Sequence, residues 1–244
     1  VNGATLNWSI LSDGIVPNIV KDWLSTPVNN LGLLVKDTSE TAAARAVINT
    51  VHSGALVSTG AAPPATLSAN LGTCNGATPS VNISKSFLMF QGANNTTRPN
   101  ATEIRGRIVP HACPTTPPTV QFFRVTNETT TVNLSWYVVE FARGVSVQRG
   151  TVASQSSSTI NVGITAVSSL ARAFVLWSKT PAAADPSYSQ DDPTIGDLTA
   201  VNNLQFRVNA SNASHTIDWE VVEFTNSADL DVQRGTSTAM TSFT

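Results

Sequence analysis

What most limits the folds open to this chain is a duplication. Leu134-Ser135-Trp136-Tyr137-Val138-Val139-Glu140-Phe141 returns as Ile217-Asp218-Trp219-Glu220-Val221-Val222-Glu223-Phe224. Each copy runs on to Val-Gln-Arg-Gly-Thr, at residues 147–151 and 232–236. Upstream, Phe123-Arg124-Val125 matches Phe206-Arg207-Val208, and Phe87-Leu88-Met89-Phe90 matches Phe174-Val175-Leu176-Trp177. Four segments in one order define a unit of about 85 residues. That is too long for a solenoid rung and suits a small sandwich domain.

Within the unit the segments alternate with period two, are rich in β-branched and aromatic residues, and are separated by Gly, Pro, Asn and Ser clusters. This is the pattern of short strands in antiparallel sheets. The expected fold is all-β, with tandem antiparallel β-sandwich domains, Ig-like or jelly-roll-like. In the Trp strand, Leu134, Trp136 and Val138 share one face, as do Ile217, Trp219 and Val221; that face is expected to be buried. Trp136, Trp219, Trp177, Phe87 and Phe174 are the expected core. The opposite face exchanges Tyr137 for Glu220. Glu140 and Glu223 fall on the inward face, where an unpaired carboxylate carries a large desolvation penalty. Arg149 and Arg234 are the expected partners, giving a fold-specifying ion pair in each unit, Glu140 with Arg149 and Glu223 with Arg234.

Composition bears on the partners. Charged residues are only 12% of the 244 and the formal net charge is −2, so the basic footprint of a nucleic-acid binder is missing. The apolar stretches fall far short of the ~20 residues that span a bilayer. Nucleic acid and membrane insertion are therefore not expected. The polarity comes from Ser, Thr and Asn, a composition that suits an extracellular β-protein. Asn-x-Ser/Thr acceptors stand at Asn7, Asn82, Asn94, Asn95, Asn100, Asn127, Asn133, Asn209 and Asn212, a density that suits a glycosylated surface protein and that chance also produces in such a chain. Cys74 and Cys113 are the only cysteines. Both sit in turn-rich settings without CxxC spacing, which favours one disulfide over a metal site.

Residues 1–57 do not match the repeat and are read as a partial N-terminal β module, with the two repeats at 58–151 and 152–244. Residues 40–51 fit either a short helix or a strand. The segment Asp22-Trp23 followed by Asn29-Asn30-Leu31-Gly32-Leu33-Leu34-Val35-Lys36 resembles the DNRLRE family of bacterial and archaeal surface β-sandwich modules. The part from about residue 80 onward, with Trp-x-Val-Val-Glu-Phe followed by Val-Gln-Arg-Gly, resembles tandem β-repeats of large bacterial extracellular and phage-associated fibre proteins. That resemblance implies scaffold or adhesion use and no catalytic residues.

Direct chemical signals are sparse. His52, His111 and His215 have no neighbours at metal-ligand spacing, so no metal site is expected from them. The run Asp185-Pro186-Ser187-Tyr188-Ser189-Gln190-Asp191-Asp192-Pro193, with Asp197, gathers oxygen ligands but lacks the Gly and terminal Glu of an EF-hand. It is read as a solvated loop, with calcium the alternative. No phosphate-cradling loop, nucleophile elbow or HExxH occurs. No catalytic residue and no cofactor are expected, and the chain is read as a non-enzyme. A repeat flanked by a module short of strands and by a further Val-Gln-Arg-Gly implies unpaired sheet edges, and such edges invite strand addition between chains. The expected function is a structural subunit of an extracellular filament or surface appendage, with copies of itself as partners in a head-to-tail polymer. The alternatives are a carbohydrate-binding or adhesive module with glycan partners, and a phage fibre or capsid decoration protein.

Overall fold

The computed structural model describes residues 46–58, 66–94, 99–125, 131–155, 157–181, 192–208, 215–227 and 229–234. These belong to one unit beginning at Ala46, and among them the fold is all-β. Repeat 1 comprises β1 (Val47–Ser58), β2 (Thr66–Asn70), a small hairpin of β3 (Cys74–Asn75) and β4 (Thr78–Pro79), then β5 (Ser86–Ala93), a single helical turn α1 (Pro99–Thr102), β6 (Arg105–Val109), β7 (Thr119–Phe123) and β8 (Val132–Arg143). Repeat 2 comprises β9 (Val145–Gln155), β10 (Thr159–Gly163), β11 (Ala173–Thr180), β12 (Ile195–Ala200), β13 (Asn203–Arg207) and β14 (His215–Phe224).

Each repeat is a sandwich of two three-stranded antiparallel sheets. The orders are β1-β8-β5 and β2-β7-β6 in repeat 1, and β9-β14-β11 and β10-β13-β12 in repeat 2. A 3-10 turn precedes the third long strand in both, at Ile83–Lys85 and Leu170–Arg172. Topology and order thus coincide, as the duplicated sequence requires.

The core of each sandwich rests on one rung of the sheet. In repeat 1, Trp136 lies between Gly54 and Phe90; in repeat 2, Trp219 lies between Gly150 and Trp177. The glycines are there for space. A Cβ at Gly54 would sit 2.7 Å from Trp136 Cζ2, and one at Gly150 would sit 2.5 Å from Trp219 Cζ2. Each indole therefore lies flat over the neighbouring strand. From the opposite sheet Phe122 meets Phe90 edge-on at 5.1 Å, and Phe206 meets Trp177 at 6.1 Å. Edge-on pairs of this kind are worth about 0.5–1.5 kcal/mol beyond area burial. Trp136 and Trp219 are buried as expected, and Trp177 is half-buried against the second core. Phe87 is buried and Phe174 partly so, but both belong to a third cluster between the repeats.

Two boundaries differ from the sequence reading. Residues 47–57, assigned to the N-terminal module, form β1 and pair along β8, so they are the first strand of repeat 1. Residues 147–151, assigned to the end of the first repeat, lie in β9 and pair with β14, so they open repeat 2. The physical reason is a tight turn at Gly144, whose φ of 81° favours glycine. Neighbours along the chain are there sent to different sandwiches. The DNRLRE-like segment at residues 22–37 lies outside the described residues.

The disulfide joins Cys74 to Cys113, with 5.6 Å between the Cα atoms and a sequence separation of 39. It fastens the β3–β4 hairpin to the connection between β6 and β7. Closing a loop of that length restricts the unfolded chain by about 4 kcal/mol in loop-closure entropy.

Candidate functional site at the joint between the repeats

Alternation along β14 sends Ile217, Trp219 and Val221 into the sandwich and Asp218, Glu220 and Val222 to the outer face. On an isolated sheet those two carboxylates would stand in water. Here Asp218 is only 3% exposed and Glu220 only 7%, because repeat 1 covers them. The cover has an apolar and a polar part. In the apolar part Phe87, Val139 and Phe141 of repeat 1 pack with Val145, Val147, Phe174, Val222 and Phe224 of repeat 2. Phe87 meets Phe174 at 6.2 Å and Phe141 meets Phe224 at 5.7 Å, both edge-on.

In the polar part every carboxylate oxygen is engaged. Arg105 Nη1 donates to Asp218 Oδ2 at 2.7 Å, and Thr151 Oγ1 donates to Asp218 Oδ1 at 2.5 Å. Arg149 Nε donates to Glu220 Oε1 at 3.2 Å, and the Leu88 backbone N–H donates to Glu220 Oε2 at 2.7 Å. That last bond caps the open edge of β5. The Arg149 Nη2 group reaches further, donating at 2.7 Å to both Ile83 O and Ser86 O, the carbonyls of the 3-10 turn of repeat 1. Gly106 N donates to Ser178 Oγ at 2.9 Å, and Lys179 Nζ lies 3.3 Å from Glu103 Oε2. Burial pushes the Glu220 carboxyl up, against the opposing pull of Arg149 and the Leu88 N–H.

Two clefts open beside this joint. One, of about 240 Å³, is lined by Leu88, Phe90, Gly106, Leu176 and Ser178; the other, of about 270 Å³, by Arg107, Arg149, Thr151 and Asp218. The acids of the joint are thus committed to guanidinium, hydroxyl and backbone donors, which tie the two sandwiches together. Among the described residues no group of three metal-ligating side chains occurs.

The expected ion pairs are not the ones formed. Arg149 pairs with Glu220 rather than Glu140, and Arg234 pairs with Asp197 at 3.0 Å rather than with Glu223. Glu140 instead accepts from Asn82 N at 2.9 Å, with His52 Nε2 at 3.3 Å. Glu223 accepts from Ser168 N at 2.6 Å and from the Ser168 hydroxyl. The reason is topological: Glu140 is in the β1-β8-β5 sheet and Arg149 in another sheet, where it stands in register with Glu220. The two glutamates still act alike, each holding the backbone that leads into a 3-10 turn.

The arginines also act alike. Arg234 Nη2 donates to Leu170 O at 3.2 Å and Ala173 O at 2.7 Å, and Arg234 Nη1 donates to Leu198 O at 2.9 Å. Leu170 and Ala173 are the repeat 2 counterparts of Ile83 and Ser86. Val232 N donates to Ala171 O at 2.7 Å. Lys85 Nζ to Ala142 O and Arg172 Nη1 to Thr225 O, both 2.9 Å, form a further matched pair. The chain therefore leaves repeat 2 along the path by which it leaves repeat 1.

Sequence reasoning missed Arg105, Asp218 and Glu220 as site residues. For Asp218 and Glu220 the signal was the exchange of Ser135 and Tyr137 for two acids on the face opposite the buried one. Of the acceptor asparagines, Asn82 and Asn133 are exposed, with Asn82 Oδ1 accepting from Ser84 N at 3.1 Å. Asn94 is half-buried after β5, and the backbone of Asn100 lies in α1. Asn7, Asn95, Asn127, Asn209 and Asn212 lie outside the described residues, as do Asp185 and Asp191 of the oxygen-rich loop. Asp192 is buried and its carbonyl accepts from Lys179. No protein-family model matches the chain, and neither a curated protein nor a solved structure matches it.

Proposed function

We propose that this chain is a structural subunit of an extracellular filament or surface appendage, joined head to tail by strand addition between chains. One observation carries the reading. Arg234 makes on repeat 2 the backbone contacts that Arg149 makes on repeat 1. In repeat 1 that path continues into β9 and a second sandwich. The same preparation at repeat 2 is what a growing row of sandwiches needs, and a heterologous contact that does not close generates a fibre. The disulfide fits an oxidising compartment outside the cell, and no helix among the described residues is long and apolar enough to cross a membrane. The resemblance to repeats of extracellular and phage-associated fibres points the same way, with a phage particle as one setting for such a fibre. Negative-stain electron microscopy of the purified chain over a concentration series tests the reading. Regular polymers are expected; a sample that stays monomeric throughout overturns it.

A second reading is a carbohydrate-binding surface, favoured by Tyr137, which stands 48% exposed on an open sheet face beside Met89. Aromatic rings so presented stack on sugars. A glycan array separates the two: saccharide-dependent binding lost in Tyr137→Ala supports the second, and a blank array supports the scaffold.

A further inference from the structure

We infer that the open side of repeat 2 receives the outward face of repeat 1 from a second copy of this chain, with Ile195 set against Ser135 where Arg105 meets Asp218 inside the chain. This rests on the head-to-tail reading above and names the surfaces that reading would use.

The correspondence follows from register. Arg105 and Ile195 each precede the glycine, Gly106 or Gly196, that lies under an aromatic pair, so they hold the same position on β6 and β12. Ser135 and Asp218 each precede the core tryptophan on β8 and β14. On the next outward rung, Met89 lies opposite Tyr137 as Leu176 lies opposite Glu220. The internal joint buries Asp218 and Glu220 and partly buries Leu176 against repeat 1. Their counterparts on repeat 1 are open: Met89 is 45% exposed and Tyr137 48%, and Ser135 is exposed as well. On the receiving side Ile195 is 56% exposed.

The two open surfaces match each other. Where the internal joint has a base on the receiver and acids on the arriving face, the open receiver has Ile195 and the open arriving face has Ser135 and Tyr137. At this one position both sides have lost charge together, so Ile195 and Ser135 leave no ion unpaired between them on contact. Arg234 is already paired with Asp197, which stands where repeat 1 carries Arg107, and Arg207, in register with Ile195, is the exposed base of the receiving side. Arg234 therefore asks for no acid from an arriving face, and that of repeat 1 has none there. Residues 230–234 lie where the first half of a β1-type strand would run. They take that place beside β8 of the second copy. By the register of β9 on β14 the displaced part of β1 is Ile48–Ser53, which includes the register shift between Ile48 and Thr50.

The test is charge insertion and rescue on the full chain, read by sedimentation velocity over a concentration series. Ile195→Arg alone and Ser135→Asp alone are each expected to weaken self-association roughly tenfold, by leaving an unpaired ion at the contact. The double variant re-creates the Arg105 and Asp218 pair and is expected to return to within about threefold of the original. Both sites are exposed, so an unchanged near-ultraviolet tryptophan signal verifies folding. If the unaltered chain associates but the single variants associate equally well, or the double variant shows no rescue, the assigned faces are wrong while the head-to-tail reading stands. If the unaltered chain never associates, the head-to-tail reading itself fails.

Discussion

The two repeats share a ladder and differ in what lies on it. In both, a tryptophan spans a rung between a glycine and an aromatic, and both hold a 3-10 turn with a glutamate. On the outer side of that ladder, repeat 1 shows Ser135, Tyr137 and Met89 to solvent, while repeat 2 shows Asp218, Glu220 and Leu176 to repeat 1. The inward face is under the same demand twice, to fill one sandwich, and has kept its apolar character, with Phe90 answering to Trp177 and Leu134 to Ile217. The outward face meets different neighbours, and there the copies have parted. Equivalent positions with unlike residues therefore mark the joint more sharply than any motif does.

The largest expected effect tests the shared part. Trp136→Ala and Trp219→Ala should each cost about 3–5 kcal/mol, as large aromatic truncations in close-packed cores do. Two similar losses in urea denaturation would uphold the equivalence of the ladders; a large loss in one repeat and a small one in the other would break it. Next is the feature only repeat 1 possesses. Replacing Cys74 and Cys113 together by Ser should lower stability by about 2–4 kcal/mol. By calorimetry the loss should fall on the transition that includes repeat 1, and a loss shared evenly would mean the repeats unfold as one body.

The outward faces should then differ strongly. Asp218→Ala leaves the largely covered Arg105 without its carboxylate partner and should cost about 3 kcal/mol, whereas Ser135→Ala at the equivalent position should stay within about 0.5 kcal/mol. Similar values for the two in parallel denaturant titrations would remove the distinction between a buried and an open face. The smallest effect is in the pH dependence. Burial raises the Glu220 carboxyl above its ordinary 4.5, so the native state holds that proton more tightly than the unfolded chain. Its contribution is fullest below about pH 4.5 and declines as pH rises through the raised native value. The stability of the unaltered chain relative to Glu220→Gln should therefore grow as pH falls towards 4. A difference that shrinks over that range would reverse the sign of the shift.

Much of this was legible from residues alone. Trp136 and Trp219 were placed in cores by alternation, and Cys74 and Cys113 were paired by their settings. The partners of Arg149 and Arg234 were not. Alternation tells which face of a strand a side chain occupies; it does not tell which sheet the strand joins. Val147-Gln148-Arg149-Gly150 follows the first tryptophan strand closely in the chain, yet Gly144 turns it into the next sandwich. Glu220 was visible as an oddity, a charge where its twin has Tyr137, without any sign that a second sandwich would cover it.

The sequence by itself determined the local and repeated quantities: strands rather than helices, a unit of about 85 residues, and the inward position of each tryptophan. These follow from side-chain period and composition, which act over a few residues. The tertiary structure alone decided where one sandwich stops and the next begins, and which charges meet. Those outcomes depend on the burial of Asp218 and Glu220 by residues more than a hundred positions away, and a carboxylate acquires its partner only when a covering surface removes the water that would otherwise satisfy it.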